Sequence, residues 1–396
     1  MFNFTSWNIR SAYESSCLIY QGFKPIYIST PAPSCSGYRF PFRFQNQSLS
    51  TMAAKSRVLV VGTGGIGTMS AYALEQGGLA EVTAVMRSNY DAATTQGIDI
   101  DSVQWGQIKA WKPTAITKTV PDVTKGDTAP FDYILVTTKN IPDVSPTVAD
   151  IIAPAVTPGK TAIVLSQNGI NIEKPLVARF PFNPLISSVA YTGATETAHA
   201  KIYNDDPDCQ KIGAFPNLDN QVPVEISVEA AQRYVKIYNP EGKLDVIYDA
   251  DVAKVRWRKI AYNGSMNPIA SILGMDTPRM RMSKHVVDDL ILPIILEVRA
   301  IAAASGIILQ DNLVDAVLHQ DPIDTAFKPS MCQDYEKGNL MEIENLVGEP
   351  LREAERLNVP APTLKVVYGI VKGLQLKVKE NKGLWEPKFE AGNPYK

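Results

Sequence analysis

The apolar positions in the first half of the chain fall in short runs separated by helical or turn-rich segments. Strand-like runs begin at Arg57, Glu81, Ala115, Asp132 and Thr161. Strands that alternate with helices predict an α/β fold with a doubly wound, mostly parallel sheet. Two later runs, 185–194 and 208–215, predict a hairpin that closes this first domain.

The second half of the chain has a helical period almost to its end. After a connector at 239–251, periodic runs begin at Val252, His285, Asp311, Gly338 and Leu364. This pattern predicts a second, all-α C-terminal domain. We expect Pro268 and Pro293 to end or kink their helices, because proline lacks an amide hydrogen, and Gly306 to mark a helix stop.

The first residues differ in composition from the rest. Residues 1–52 hold four basic residues and a single acid, Glu14. We expect residues 1–53 to be a disordered N-terminal extension, followed by an α/β domain at 54–245 and a helical domain at 246–396. Met52 is an alternative start. We expect a cytoplasmic protein, or a mitochondrial one if residues 1–52 act as a presequence, although their four prolines disfavour a presequence helix.

Composition excludes several classes of partner. The 39 basic and 41 acidic residues nearly balance, so no long-range field favours nucleic acid or a membrane surface, and a small-molecule substrate fits better. Four scattered cysteines and three histidines predict neither a metal site nor a disulfide framework. The apolar stretch 286–304 carries four charged residues and predicts a buried helix rather than a membrane span. A homodimer is compatible with this composition.

A glycine motif follows the first predicted strand. Gly62, Gly64 and Gly67 fit GxGxxG, and the motif opens a predicted helix. Glycines let backbone N–H groups and the helix N-terminus approach a pyrophosphate without an intervening Cβ. The first domain is therefore predicted to be a Rossmann-type domain that binds a dinucleotide.

The residue after the second strand predicts the type of cofactor. NAD enzymes usually place an acid there to bind the ribose hydroxyls, whereas this chain has Arg87. A guanidinium pairs with a 2′-phosphate, and Ser88 and Asn89 add neutral donors. NADP, as NADPH, is therefore predicted, and the alternative is that Arg87 is a solvated surface residue.

Candidate catalytic groups come from both halves of the chain. Lys139 and Asn168 each follow a predicted strand, at the sheet edge where ligands bind. Lys259, Asn263 and Asn267 are spaced to share one helix face. Taken singly, the first two residues would be ordinary loop residues and the helical three a solvated helix face. The occurrence of both groups in one chain, and the apolar residues around the helical three, favour a functional site. A later segment offers Ser330, Asp334, Glu342 and Glu344, of which we favour Glu342.

From Arg57 to Lys379 these residues resemble the ketopantoate reductase (2-dehydropantoate 2-reductase) family, in its fungal-type branch. The matching features, in family order, are the glycine loop, Arg87, Lys139 in TTK, Asn168 in QNG, Lys259, Asn263 and Asn267 in WRKxxxNxxxN, and Ser330 twelve residues before Glu342. The resemblance implies that Lys259 is the general acid and that Glu342 orients the substrate. It also implies that Asn263, Asn267 and Ser330 hold the substrate, while Lys139 and Asn168 line the junction of nicotinamide and substrate.

The chemistry of ketone reduction agrees with these roles. Hydride transfer to carbon requires a proton for the developing alkoxide, and a lysine charged at neutral pH can stabilise that oxygen and donate to it. We expect Glu342 to hold the Lys259 ammonium in place.

Two departures from the family leave the substrate open. Glu344 stands where the family often has Asp, and the segment 204–219 has the character of a long, acidic loop. Ketopantoate is the favoured substrate. The alternatives are another carbonyl compound, such as 2-ketoisovalerate or an intermediate of specialised metabolism, and a catalytically silent NADP-binding redox sensor. A β-hydroxyacid dehydrogenase also places Lys-xxx-Asn on a helix, but Asn267 and the segment from Ser330 to Glu342 favour the first family.

Overall fold

The computed structural model describes residues 54–216, 218–389 and 391–396. The predicted extension at 1–53, with its alternative start at Met52 and its proposed presequence, lies outside them. The described residues belong to one compact unit.

Twelve strands lie between residues 56 and 248 of the described chain. They are β1 Ser56–Val61, β2 Ala80–Val85, β3 Ile98–Ser102, β4 Gly106–Trp111, β5 Ala115–Thr117, β6 Tyr133–Val136, β7 Ala162–Leu165, β8 Leu185–Ala190, β9 Ala194–Ala198, β10 Lys201–Asn204, β11 Cys209–Ala214 and β12 Asp245–Tyr248. All five predicted strand runs are present.

Eight of these strands form one sheet in the order β12-β11-β8-β7-β6-β1-β2-β5. Neighbours are parallel except for β11 against β8. The chain runs from β1 to β2 on one side and returns to β6 on the other, so the carboxyl end of β1 lies at the point where a doubly wound sheet binds its ligand. The predicted fold class is confirmed.

The remaining four strands form a second sheet, in the order β4-β3-β10-β9, that the sequence did not predict. The two runs expected to form a hairpin do pair, as β8 and β11. They are not consecutive strands, because β9 and β10 of the second sheet lie between them in the chain. The predicted long loop at 204–219 is interrupted by a strand, because Cys209–Ala214 forms β11 inside the main sheet.

Fourteen helices complete the described structure. They are α1 Gly65–Gln76, α2 Tyr90–Gln96, α3 Val148–Ile152, α4 Lys174–Arg179, α5 Val224–Tyr238, α6 Val252–Asn263, α7 Met266–Leu273, α8 Thr277–Met282, α9 Lys284–Val286, α10 Leu292–Ala304, α11 Leu313–Leu318, α12 Ser330–Glu336, α13 Glu349–Leu357 and α14 Pro362–Asn381. Two 3₁₀ turns, Val123–Lys125 and Ala153–Ala155, and two π-helical segments, Val287–Ile291 and Glu344–Gly348, link some of them.

Hydrophobic burial explains why helices pack on both faces of the main sheet. In β1, Val58 and Val60 join the core beneath α1 and α5, while Leu59 and Val61 join the core beneath α3. A strand buried on both faces carries a continuous apolar run, which is the pattern of residues 58–61. A third core lies within α6 to α14. The last strand of the sheet, β12, spans the predicted boundary between residues 245 and 246.

The proline and glycine signals act near their predicted positions. The helix that begins at Val252 stops at Asn263 and restarts as α7, because Pro268 has no amide hydrogen for the Gly264 carbonyl. Lys259 and Asn263 therefore lie on α6, and Asn267 lies on α7. Pro293 lies in the first turn of α10, and Gly306, at φ +83°, follows its end. Within the described residues, no helix combines the length and apolar character needed to cross a membrane.

Candidate active site

The glycine loop joins β1 to α1 at the centre of the sheet. Gly62 has φ +106°, and a Cβ there would lie 2.5 Å from the Thr138 backbone nitrogen in the loop after β6. At Gly67 a Cβ would lie 2.1 Å from the Gly62 carbonyl oxygen. Both positions therefore require glycine for the close approach of backbone segments.

The same loop fits a dinucleotide. Nothing lies within 4 Å of the Cβ position of Gly64, so the space beside its backbone is open. Gly64 also caps α1, a helix of 12 residues whose first N–H groups have no partners within the helix. An open, Cβ-free cradle at a helix N-terminus is the chemistry a pyrophosphate needs.

The end of β2 carries a positive charge. Arg87 is exposed one residue beyond Met86, whose N–H donates to the Thr117 carbonyl of β5 at 2.8 Å. This pairing brings Lys118 beside Arg87, and the Lys118 ammonium lies 5.6 Å from the centre of the Tyr90 ring. Sequence reasoning missed Lys118, because it becomes a neighbour of Arg87 only through the pairing of β2 with β5, which the sequence did not reveal.

Asn89, expected as a phosphate donor, has another partner. It is buried, and its amide donates to the Thr63 carbonyl at 3.0 Å. The Thr63 hydroxyl in turn donates to the Val85 carbonyl at 2.8 Å. Asn89 therefore fixes the glycine loop against the end of β2.

Glu342 joins the two halves of the molecule. Its Oε1 accepts the backbone N–H of Asn140 at 3.0 Å, and its Oε2 lies 3.5 Å from the Asn168 amide nitrogen and 3.7 Å from the Lys139 ammonium. The side chain is 5% exposed. A carboxylate just ahead of a π-helical segment is thus held by both loops that follow β6 and β7, and π-helical segments are frequent at functional sites.

Lys139 lies between two carboxylates. Besides Glu342, it forms an ion pair with Asp334 of α12 at 2.7 Å. Burial opposes its charge, but Glu342 and Asp334 outweigh that effect and raise the pKa of Lys139. Lys139 therefore stays charged at neutral pH at the mouth of the cleft between the sheet and the helices. Asp334, a candidate that the sequence offered but did not favour, therefore belongs to the site.

Lys259 enters the cleft from α6. Its ammonium donates to the Ala190 carbonyl at the end of β8 and lies 5.1 Å from the centre of the Tyr191 ring. Burial, and next the Arg256 guanidinium, lower the pKa of Lys259 to about 8. The expected contact with Glu342 was wrong: no Lys259–Glu342 ion pair within 4 Å occurs in the described chain, since Glu342 pairs with Lys139.

The three predicted polar contacts for the substrate differ in burial. Asn263 is 7% exposed and Asn267 is 1% exposed, and the Asn267 side-chain oxygen has no hydrogen-bond partner among the described residues. Ser330 is exposed at the start of α12, a helix that packs against α7 and so brings Ser330 to the element that carries Asn267. Buried amides with spare capacity suit a polar ligand.

Glu344 is engaged elsewhere. It accepts hydrogen bonds from Lys372 at 2.7 Å, Arg352 at 2.9 Å and Tyr368 at 2.9 Å. These partners lower its pKa in spite of its burial. The sequence preference for Glu342 over Glu344 matches this geometry, because the partners of Glu344 all lie on α13 and α14.

The arrangement can bind and reduce a polar carbonyl compound. Lys259, whose lowered pKa makes it a better proton donor than a free lysine, lies within electrostatic reach of Glu342 and Lys139. The glycine loop follows β1, and β1 lies between β6 and β2 in the sheet. The loop is therefore flanked by the Lys139 loop after β6 and by the loop after β2. Hydride transfer with proton donation is the chemistry that such groups serve.

Both halves of the chain match known proteins. A family model described as ketopantoate reductase PanE/ApbA matches residues 58–217, and its C-terminal counterpart matches residues 251–375. An uncharacterized protein of Saccharomyces cerevisiae is 35% identical over 348 residues, covering 83% of this chain and 96% of that protein.

Solved structures agree with the sequence matches. The 2-dehydropantoate 2-reductase of Methylococcus capsulatus is 28% identical with a TM-score of 0.69, covering 85% of this chain and 100% of that chain. A ternary structure of D-mandelate dehydrogenase with NADH and anilino(oxo)acetate is 19% identical with a TM-score of 0.66, covering 82% and 99% of the two chains. At that identity the last similarity shows a shared fold.

Proposed function

Because the chain belongs to the ketopantoate reductase family, we propose that it is an NADPH-dependent reductase of a small 2-keto acid. The enzymes of this family are oxidoreductases that act on CH–OH groups. Ketopantoate is the favoured substrate and pantoate the product. The observation that carries the proposal is the convergence of Lys259, Glu342 and Lys139 on one cleft beside the glycine loop.

Each residue has a physical role in this reaction. A bound reduced nicotinamide supplies a hydride to the carbonyl carbon. Lys259 stabilises the negative charge that develops on the carbonyl oxygen and donates its proton there. One of its three N–H bonds is directed to Ala190, which leaves two for the substrate.

The remaining groups orient the substrate. Lys139 attracts the substrate carboxylate to the cleft, while Glu342 accepts a hydrogen bond from a substrate hydroxyl. Asn263, Asn267 and Ser330 hold the polar end of the substrate with neutral groups, which avoids burying a further unpaired charge. Asn168 fixes Glu342 on one side and faces the nicotinamide end on the other.

For the cofactor, Gly62, Gly64 and Gly67 hold the pyrophosphate, and Arg87 with Lys118 binds the 2′-phosphate. A charge-assisted hydrogen bond is worth about 1.5–3 kcal/mol, so we expect NADPH to be preferred over NADH by roughly tenfold or more.

A substrate panel tests the proposal. The purified full chain is assayed for oxidation of NADPH and of NADH with ketopantoate, 2-ketoisovalerate, phenylglyoxylate and pyruvate, and Lys259→Ala serves as the inactive control. We expect turnover with NADPH and the highest kcat/KM for ketopantoate. Higher kcat/KM for another acid would establish the second candidate, a reductase of a different 2-keto acid. Cofactor binding without turnover on any acid would contradict the enzyme and favour a redox sensor.

A further inference from the structure

We propose that Arg256, a residue to which the family match assigns no role, is a positioning residue that fixes the Asn168 turn against α6 and sets the electrostatic surroundings of Lys259. This inference rests on the proposed function for its catalytic consequence, but the contacts that carry it are independent of the substrate.

The guanidinium of Arg256 connects three elements. Its Nη1 donates to the carbonyls of Gln167 and Gly169, both at 2.8 Å, and so holds the residues on either side of Asn168. Its Nε and Nη2 donate to the Ser187 hydroxyl of β8 at 3.0 and 2.7 Å. A planar, forked cation is suited to hold several acceptors in fixed directions.

This cation is buried without a direct counter-ion. Arg256 is 6% exposed, and no carboxylate forms an ion pair with it within 4 Å in the described ranges 54–216, 218–389 and 391–396. Burial lowers its pKa to about 10 against the opposing effect of Glu173, so it stays charged at neutral pH. Methionine or leucine would fill the position without the cost of burying a charge. We therefore infer that the positive charge and the forked hydrogen-bonding geometry of the guanidinium both have a role at this position.

Lys259 lies one helical turn further along α6, on the same side as Arg256. The groups that act on its amine are Arg256, Glu342, Cys209, Lys139 and the Tyr191 ring. Burial lowers the pKa of Lys259 most and Arg256 next, while Glu342 and Cys209 oppose them and Lys139 adds to the lowering. Removing the charge of Arg256 must therefore raise the pKa of Lys259 and make it a weaker proton donor.

Competitive acetylation of the cofactor-free protein tests the electrostatic part. The full chain is treated with trace acetic anhydride between about pH 6 and pH 11, and peptide mass spectrometry follows each lysine. Exposed Lys254 on the same helix is the internal reference. In the unmodified protein we expect the Lys259 midpoint near 8. Arg256→Met and Arg256→Gln should shift it upward by at least about half a pH unit.

Arg258→Met is the matched control. Arg258 is the neighbouring arginine on α6, but its guanidinium contacts the Ala316 carbonyl and Gln320, on the far side from the sheet. The same loss of charge there should leave the Lys259 midpoint unchanged. An unchanged midpoint in whichever neutral Arg256 variant folds overturns the electrostatic role, even if no substrate has been found.

Arg256→Lys tests positioning separately. The ammonium keeps the charge but cannot hold both turn carbonyls and Ser187 in the forked geometry, so we expect an unchanged Lys259 midpoint with kcat lowered about tenfold. If neither neutral variant folds, this variant decides, because kcat equal to that of the unmodified protein overturns the positioning role. Absence of turnover in the unmodified protein would instead count against the proposed function, which keeps the two failures distinct.

Discussion

Lys259 illustrates what a single residue gains from its surroundings. The sequence identifies a lysine one turn before an asparagine, and a free lysine is charged at neutral pH. The structure adds burial and the Arg256 charge, which lower its pKa to about 8. A donor with that pKa is still largely protonated at neutral pH but gives up its proton more readily. Sequence spacing alone could not reveal this, because burial depends on β8 and the loops around it.

The pH dependence of the reaction follows from this pKa. Reduction needs protonated Lys259, so we expect kcat/KM for reduction to fall as pH rises through about 8. Oxidation of the hydroxy acid needs the neutral amine and should rise through the same pH. Rates in both directions, measured on one preparation, check the sign. A falling limb in reduction with no matching rise in oxidation would count against Lys259 as the shared group.

Substitution of the lysine gives the complementary prediction. Lys259→Ala removes the proton donor, and we expect kcat to fall by about 10²-fold or more. Lys254→Ala, an exposed lysine on the same helix, is the control and should keep normal kcat. Steady-state kinetics with saturating cofactor distinguish the two, and an unchanged kcat for Lys259→Ala would exclude it as the proton donor.

At the scale of elements, the ends of strands and helices place the functional groups. The strand order puts the loops after β6 and β7 side by side, so Lys139 and Asn168 both approach the carboxylate of Glu342. The break between α6 and α7 could be expected from Pro268, yet the burial of Asn267 beyond it could not. The second sheet was missed because its strands are short and partly exposed, and β9 and β10 interrupt the run that leads to β11.

Cofactor selectivity belongs to this scale, because β2 and β5 end together. Arg87→Asp replaces a cation by an anion beside the ribose, so we expect KM for NADPH to rise by about tenfold or more while KM for NADH changes little or falls. Arg179→Asp, the same charge reversal on exposed α4, is the control. Kinetics with both cofactors measure the effect. Equal use of NADPH and NADH by the unmodified protein would contradict the assignment of Arg87.

At the scale of the whole molecule, ion pairs connect the sheet to the helices around the cleft. Asp143, in the segment between β6 and α3, accepts hydrogen bonds from Lys372 at 3.0 Å and from Lys379 at 2.8 Å, both on α14. Beyond β7, Asn171 and Lys174, the first residue of α4, donate to Glu353 of α13, both at 2.9 Å. These contacts fix the segments after β6 and β7 relative to α13 and α14, and the proposed reaction requires such fixed positions.

We expect Asp143→Asn to lower the free energy of unfolding by about 1 kcal/mol, because it leaves Lys379 without its partner. Burial favours the neutral carboxyl group, but Lys379 and Lys372 outweigh it and lower the pKa of Asp143. The stabilisation is therefore present above the unfolded pKa and is lost as pH falls through the lower folded value. Urea unfolding at neutral and acid pH measures both effects. Asp289→Asn, in an exposed pair with His285, is the control, and an equal loss in the two variants would contradict the prediction.

The sequence by itself determined the kind of chemistry and the elements that carry it. Periodicity and glycine spacing are local properties, so β1, the glycine loop, α1 and the helical second half could be predicted from neighbouring residues. The same local patterns named Lys259, Glu342, Asn263, Asn267 and Ser330 as candidates, and the resemblance supplied their roles.

Only the tertiary structure decided which of these groups touch. It paired Glu342 with Lys139 rather than Lys259 and brought Asp334 to the same lysine. It also added Lys118, turned Asn89 inward and buried Arg256 where its charge acts on Lys259. The physical reason is that charge pairing and desolvation depend on distances between segments far apart in the chain, and the packing of α6 and α12 against the sheet sets those distances.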